Sequence, residues 1–299
     1  MISENFPHQD RIVLDLEERM GLSESRNDAI TQAPVRALAA TLDCPGPELG
    51  GILPALWHWL YFLPYHRADE TGPDGHAHRG RFFPPVSLQR RMWAGGRLVW
   101  EPGNPLKVGD AARRTSHVAS VAHKNGRSGE LLFVTVVHEL HNAKGLILTE
   151  EQDIVYCAMS RPDAPAPAPV PASASAPLTA QAPADWEREL TPDEVLLFRY
   201  SALTFNSHRI HYDRPYATQV EAYPGLIVHG PLIATLLLDL VRREAPSGFV
   251  RRFEFKAVRP SFAGNPLRLR GQPQNNGTVR LWAQDPEGWL AMQATAEIE

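Results

Sequence analysis

The sequence predicts an α+β fold of two similar halves. Each half is an early helix followed by an antiparallel sheet, and one central helix is kept in the second half. Three observations carry this prediction. Residues 161–184 read RPDAPAPAPVPASASAPLTAQAPA, and sixteen of these 24 are proline or alanine. Proline favours extended polyproline geometry and removes backbone donors, so the stretch is a linker dividing the chain into 1–160 and 185–299. The halves then repeat one another. Thr31–Ala40 (TQAPVRALAA) recurs as Thr191–Tyr200 (TPDEVLLFRY), and Gly103–Leu106 (GNPL) as Gly264–Leu267 (GNPL), at offsets of 160 and 161 residues. Finally, Leu232, Ile233, Leu236, Leu237, Leu240 and Val241 recur at helical spacing, with Asp239, Arg242 and Arg243 on the expected wet side.

In chain order, the first half has a helix near 31–40 and strands near 111–122, 131–140 and 145–157, with turns at Asn125-Gly126 and Lys144-Gly145. The second has a helix near 191–200, the central helix near 230–244, and strands near 251–258, 266–271, 278–284 and 289–298. Its turns fall at Asn276-Gly277 and Glu287-Gly288. Asn-Gly between two strand-like runs is a hairpin signal, because both residues tolerate positive φ. The repeat offset places the counterpart of the central helix at 69–84, ETGPDGHAHRGRFFPP, which is too rich in glycine, proline and charge for a buried helix. The first copy has lost it.

Composition narrows the function classes. At 299 residues the chain is long enough for two domains or a fused pair, and 43% hydrophobic content supplies a core for each. A net charge of −4 gives no basic surface for nucleic acid. Cys44 and Cys157 stand in no metal or redox spacing, and MISENFPHQD carries no apolar leader, so the expected location is the cytoplasm. No run approaches the roughly 20 apolar residues that a membrane span needs.

The residues that carry chemistry lie between Tyr200 and Leu232, YSALTFNSHRIHYDRPYATQVEAYPGLIVHGPL. Asn206, His208, Arg209, His211 and Asp213 form a polar cluster among aromatic and aliphatic neighbours. His229-Gly230-Pro231 then opens the central helix, where backbone N–H groups point outward and carry partial positive charge. Pro231 suits the first helical turn, where its missing N–H costs nothing.

This stretch resembles the hydratase 2 motif of the MaoC-like hydratases and dehydratases. That motif runs Asp-x-Asn-Pro-aliphatic-His, followed by Asp and an aromatic-Ala pair. Asn206 stands at the Asp position, His211 at the His position five residues on, and Asp213 and Tyr216-Ala217 follow. His229-Gly230 resembles the family's later His-Gly pair. The resemblance covers nearly the whole chain and is closest to the fused members, the type 2 hydroxyacyl-thioester dehydratases and the mesaconyl-C4-CoA or itaconyl-CoA hydratases. It implies a double hot-dog of two antiparallel sheets and an acyl-CoA thioester substrate. It implies no cofactor and no metal. Asn206 in place of Asp is the main departure.

Hydration of an enoyl thioester needs a base for the attacking water, a proton for C2, and a donor to the thioester oxygen. On this resemblance His211 is the base, Asn206 orients water, and the Gly230 N–H binds the oxygen; all three are read as catalytic. His208, Arg209, Asp213, Tyr223, Pro224, Gly225 and His229 are expected near the substrate. Asn206 cannot take up a proton, so the group that replaces the family's carboxylate stays open. Asn206 and His211 map near Gly46 and Gly51 of the first half, which predicts one active site per chain. The first half is then a degenerate hot-dog whose vacated space shapes the acyl pocket. Trp57, Trp59, Tyr61 and Phe62 are candidates to line that pocket, or equally ordinary core. Arg90, Arg91, His58 and Arg209 are candidates for an anionic acyl end. His76-Ala-His78, in a Gly/Pro-rich loop, is read as solvated. Rival functions are a dehydratase of fatty-acid synthesis, a thioesterase, and a non-catalytic acyl-CoA-binding module. The two halves can pair within one chain, and a homodimer remains open.

Overall fold

The computed structural model describes residues 22–78, 88, 90–126, 129–157 and 183–299. All but the last two residues of the linker 161–184, and part of the 69–84 segment, lie outside these ranges. The first half contributes β1 (Ser23–Ala29), helix α1 (Gln32–Thr41), β2 (Arg90–Trp100), β3 (Ala111–Gly126), β4 (Gly129–Asn142) and β5 (Gly145–Cys157). The second contributes β6 (Trp186–Leu190), helix α2 (Glu194–Leu203), helix α3 (Gly230–Glu244), β7 (Val250–Ala257), β8 (Leu267–Pro273), β9 (Thr278–Gln284) and β10 (Leu290–Ile298).

The strands follow one order, β1-β3-β4-β5-β2-β7-β10-β9-β8-β6, and all ladders are antiparallel. Read from either end the order is the same: an edge strand, three meander strands, and the strand that precedes them in sequence. The two expected sheets therefore meet at β2 and β7 and run on as one ten-stranded sheet. At this seam Gly95 pairs with Lys256 and Gly96 with Phe255. A Cβ at Gly95 would sit 2.6 Å from the Phe255 carbonyl oxygen, and one at Gly96 2.9 Å from the Phe255 ring. Backbone approach this close demands glycine.

Alternation builds the sheet faces. In β4, Leu132, Val134, Val136 and Leu140 are buried at period two. The hairpin turns hold glycines at positive φ, +122° at Gly145 and +79° at Gly277. Helix α3 packs against β6, β8, β9 and β10. Its six periodic apolar residues are all buried, each contributing roughly 1.5–3 kcal/mol. This is the double hot-dog implied by the motif.

The wet side of α3 is narrower than expected. Asp239 is only 3% exposed and takes Arg188, Arg242 and Arg243 on its two carboxylate oxygens at 2.5–2.7 Å. Arg242 and Arg243 also reach across to the carbonyls of Pro45 and Leu42 in the first half. A buried carboxylate needs such pairing, so this cluster fastens the halves. In the first half, Ala68–Glu70 forms a single 3-10 turn, and no helix stands between Thr71 and His78.

Candidate active site

The fold brings the two histidines of the motif face to face. Helix α2 is N-capped by Asp193, whose side chain accepts the Leu196 N–H at 2.8 Å. Past its C-terminus the chain doubles back, with the Asn206 N–H donating to the Ser201 carbonyl at 2.9 Å. The Asn206 side-chain oxygen accepts the His208 N–H at 3.1 Å. A backbone N–H requires an acceptor, so this bond fixes which end of the amide is oxygen. The 3-10 turn Arg209–His211 follows, and the Ile227 N–H donates to the Ile210 carbonyl at 3.0 Å. That bond lays the strand-like segment 226–228 alongside His211 and delivers His229 to the head of α3.

His211 and His229 stack with ring centroids 3.6 Å apart and planes 18° from parallel. His211 is 7% exposed, and its Nδ1 lies 2.8 Å from the Ile227 carbonyl. A carbonyl only accepts, so Nδ1 carries the proton and the neutral ring keeps its lone pair at Nε2. Burial lowers the His211 pKa to about 4; the Ile227 hydrogen bond opposes this and the charge of His76 adds to it. His211 is thus a neutral base at pH 7. His229 Nε2 lies 2.8 Å from Ser201 Oγ, and its Nδ1 is buried without a partner among the described residues. Gly230 begins α3, and a Cβ built there meets no heavy atom within 4 Å. The N-terminus of α3 therefore borders open space beside the stacked histidines.

A further histidine arrives from the other half. The His76 ring centroid lies 4.0 Å from that of His208, and His208 lies edge-on to His211 at 5.6 Å. His76 is partly buried and bonded to Asp74, so its reading as a solvated loop residue is corrected. The loop carrying it is stapled to the 206–209 turn. The Arg209 N–H donates to the Asp74 carbonyl and Arg209 Nη1 to the Pro73 carbonyl, both at 2.9 Å, while the Ser207 hydroxyl donates to the Gly75 carbonyl. Gly75 stands at φ +89°, and a Cβ there would collide with the Ser207 carbonyl oxygen.

Several residues expected near the substrate also make contacts within the loop and its neighbours. Asp213 accepts Arg209 Nε at 3.0 Å and Nη2 at 2.7 Å on one oxygen, and the Tyr216 N–H at 3.1 Å on the other. Arg209, so held, lies over the Tyr216 ring at 4.2 Å. Tyr223 lies under Arg90 at 4.8 Å; Pro224 is exposed and Gly225 buried. Of the cations considered for an anionic acyl end, Arg90 is tied to Glu221 and His58 to Glu150. The charge of Arg91 bears on His76 and His208. A cavity of about 320 Å³ opens farther along α3, lined by Trp57, His58, Trp100, Thr235, Leu238 and Asp239. Trp59, Tyr61 and Phe62 belong to the core instead: Trp59 packs edge-on to Trp93 at 5.0 Å, and Tyr61 donates to the Thr31 carbonyl. Among the described residues, Asp74, His76 and His208 have donor atoms within 4.8 Å of one another, a set that could hold a divalent ion.

The profile of hydroxyacyl-thioester dehydratase type 2 matches residues 56–263, more than half of the chain. The chain belongs to this family. It is a hydro-lyase of acyl thioesters. Its relatives include the mesaconyl-C4-CoA hydratase of Chloroflexus aurantiacus, 44% identical over 93% of this chain and 96% of that one. The mitochondrial hydroxyacyl-thioester dehydratase type 2 of Schizosaccharomyces pombe is 46% identical over 26% of this chain and 27% of its own. Among solved structures, the MaoC-like dehydratase of Phytophthora capsici superposes with a TM-score of 0.67 at 13% identity, over 95% of this chain and 98% of that one. HtdX of Mycobacterium tuberculosis gives 0.64 at 17% identity, over 92% and 99%. At these identities the structures attest the fold. Among the described residues no helix is long and apolar enough to cross a membrane.

The staple between the halves carries a prediction for this hydro-lyase. Gly75→Ala is expected to push the 71–78 loop off Ser207 and lower kcat/KM about 10- to 100-fold, the scale of a small misplacement of a site. Steady-state kinetics decide it: unchanged kcat/KM would mean the loop does not shape the site.

Proposed function

We propose that the protein adds water reversibly across the double bond of an enoyl-CoA whose acyl group bears a second carboxylate. Mesaconyl-C4-CoA is the first such substrate to consider and itaconyl-CoA the next. The observation that carries the reading is His211, a buried neutral base with a defined Nε2 lone pair beside the head of α3. The water oxygen bonds to C3 as its proton passes to His211 Nε2. The C2=C3 pair moves towards the thioester oxygen, which the Gly230 N–H receives. The His211 proton then returns to C2 and the thioester reforms, so the net change is the addition of one water. The Asn206 NH₂ donates to the attacking oxygen and holds it in line. One well-placed oxyanion donor is worth about 3 kcal/mol of barrier.

Support for the dicarboxylyl group comes from the Chloroflexus relative, alike over nearly the whole chain. On this reading residues 1–160 shape the acyl pocket and 185–299 carry the catalytic groups. The two free cysteines, Cys44 and Cys157, support a reducing cytoplasm. A second reading is a 3-hydroxyacyl-thioester dehydratase of fatty-acid synthesis, and the family profile supports its dehydratase part.

A mass-resolved assay with mesaconyl-C4-CoA, itaconyl-CoA, crotonyl-CoA and a medium-chain enoyl-CoA separates the readings. Fastest gain of one water on a dicarboxylyl thioester is expected. Preference for the medium-chain thioester would move the protein to fatty-acid synthesis. Free CoA without hydration would mark a thioesterase, and binding without turnover an acyl-CoA-binding module.

A further inference from the structure

The site holds a carboxylate that the motif does not point to. Asn206 stands where the motif has an acid, and an amide carries no charge to balance the imidazolium formed when water gives its proton to His211. The nearby carboxylates of the second half are committed elsewhere, Asp213 to Arg209 and Glu221 to Arg90. Asp74, on the loop of the first half, has the site's own histidines as partners. Its Oδ2 accepts His76 Nδ1 at 3.0 Å, and its Oδ1 accepts the His76 N–H at 3.0 Å. The His76 ring packs on His208, and His208 meets His211 edge-on. Burial raises the Asp74 carboxyl, and its interactions with His76 and His208 lower it by more. Arg91 bears on the same two rings, His66 on His76, and His229 stacks on His211.

We propose that Asp74 is the relocated carboxylate of this active site. Supplied by the other half and acting through His76 and His208, it positions the cluster and balances the charge that develops on His211. Asp74 is a positioning residue; the bonds made and broken remain those of the hydration described above, on which this proposal rests. The Gly75 and Arg209 contacts are the means by which a loop from residues 1–160 holds a fixed place beside residues 206–211.

The test is a set of three variants of the full chain, Asp74→Asn, Asn206→Asp and the double variant, assayed in the presence of a chelator with thermal melting alongside. Asp74→Asn is expected to lower kcat at least tenfold with KM changed less than threefold. Asn206→Asp alone gives up the NH₂ donor to the attacking oxygen, and its kcat is the reference against which the double variant is read. The double variant, with the acid returned to position 206, is expected to recover most of the lost kcat. Parental kcat in Asp74→Asn would overturn the proposal. So would a loss that the double variant does not repair at equal melting temperature, since Asp74 would then act only through local structure. The hydration reading fails separately, by turnover surviving in His211→Ala.

Discussion

His211→Ala is expected to lower kcat for hydration about 10²- to 10⁴-fold, the usual range for a general base, while thioester Kd stays within about threefold. At about 1.4 kcal/mol per decade this is roughly 3–5 kcal/mol of transition-state stabilisation. Three features set the size of the effect. The ring is neutral at pH 7 because burial holds its pKa near 4. Its tautomer is set by the Ile227 carbonyl, so the lone pair is at Nε2 in every molecule. And the amide beside it does not replace it, since Asn206 cannot exchange a proton. Alanine also removes the stacking partner of His229, so His211→Gln, which keeps a planar polar group there, accompanies it. Stopped-flow kinetics and equilibrium binding on both variants check the prediction. Turnover within tenfold of the parent in either would remove His211 from the chemistry.

Stability is expected to fall steeply as pH drops from about 6.5 towards 4. His76, His138, His208, His211 and His229 all have pKa values lowered by burial, to about 4 at His138 and His211 and about 2 at His208. In the unfolded chain each titrates near 6.5. Between the two values the unfolded chain binds protons that the folded one refuses, so ΔG of unfolding rises with pH across this window. The histidine contribution is complete above about pH 6.5 and is lost as pH falls. Each such histidine contributes a slope of up to about 1.4 kcal/mol per pH unit, so several together weigh heavily against a typical total stability of about 5–15 kcal/mol. Unfolding is therefore expected before pH 4. The Glu150 carboxyl is not the cause in this range: burial raises it, but the His58 bond and its other partners hold it at about 2. Melting temperature measured from pH 8 to 4 should be flat above about 6.5 and drop below it. A flat profile down to pH 5 would mean that these rings are protonated in the folded protein.

The site was half legible in the sequence. The five-residue spacing from Asn206 to His211 and the later His229-Gly230 pair located the stacked histidines and the head of α3, because local turns and one helix start fix them. Helix α3 and the meander strands were legible from their periodicity. Strand β2 was not, since Gly95 and Gly96 weaken its propensity; they are there for the close approach to β7, which no local pattern encodes. Asp74 and His76 could not be found either. They lie in an aperiodic loop about 130 residues before the motif, and only the pairing of the halves brings them to His208. Arg209 and Asp213 were singled out as polar residues of the motif, but polarity does not tell a ligand contact from an internal ion pair.

Among the described residues the ten-stranded sheet ends at β1 and β6, each bonded on one side alone. A long open sheet of this kind is a template on which further copies of the chain could add, strand by strand, into polymers. Both edges carry alternating charges that discourage it: Glu24, Arg26 and Asp28 on β1, and Glu187, Arg188 and Glu189 on β6. Both are also short, seven and five residues. Joining two folds through β2 and β7 thus left the protein with the flanks of one sheet to guard, and short, charge-bearing strands stand there.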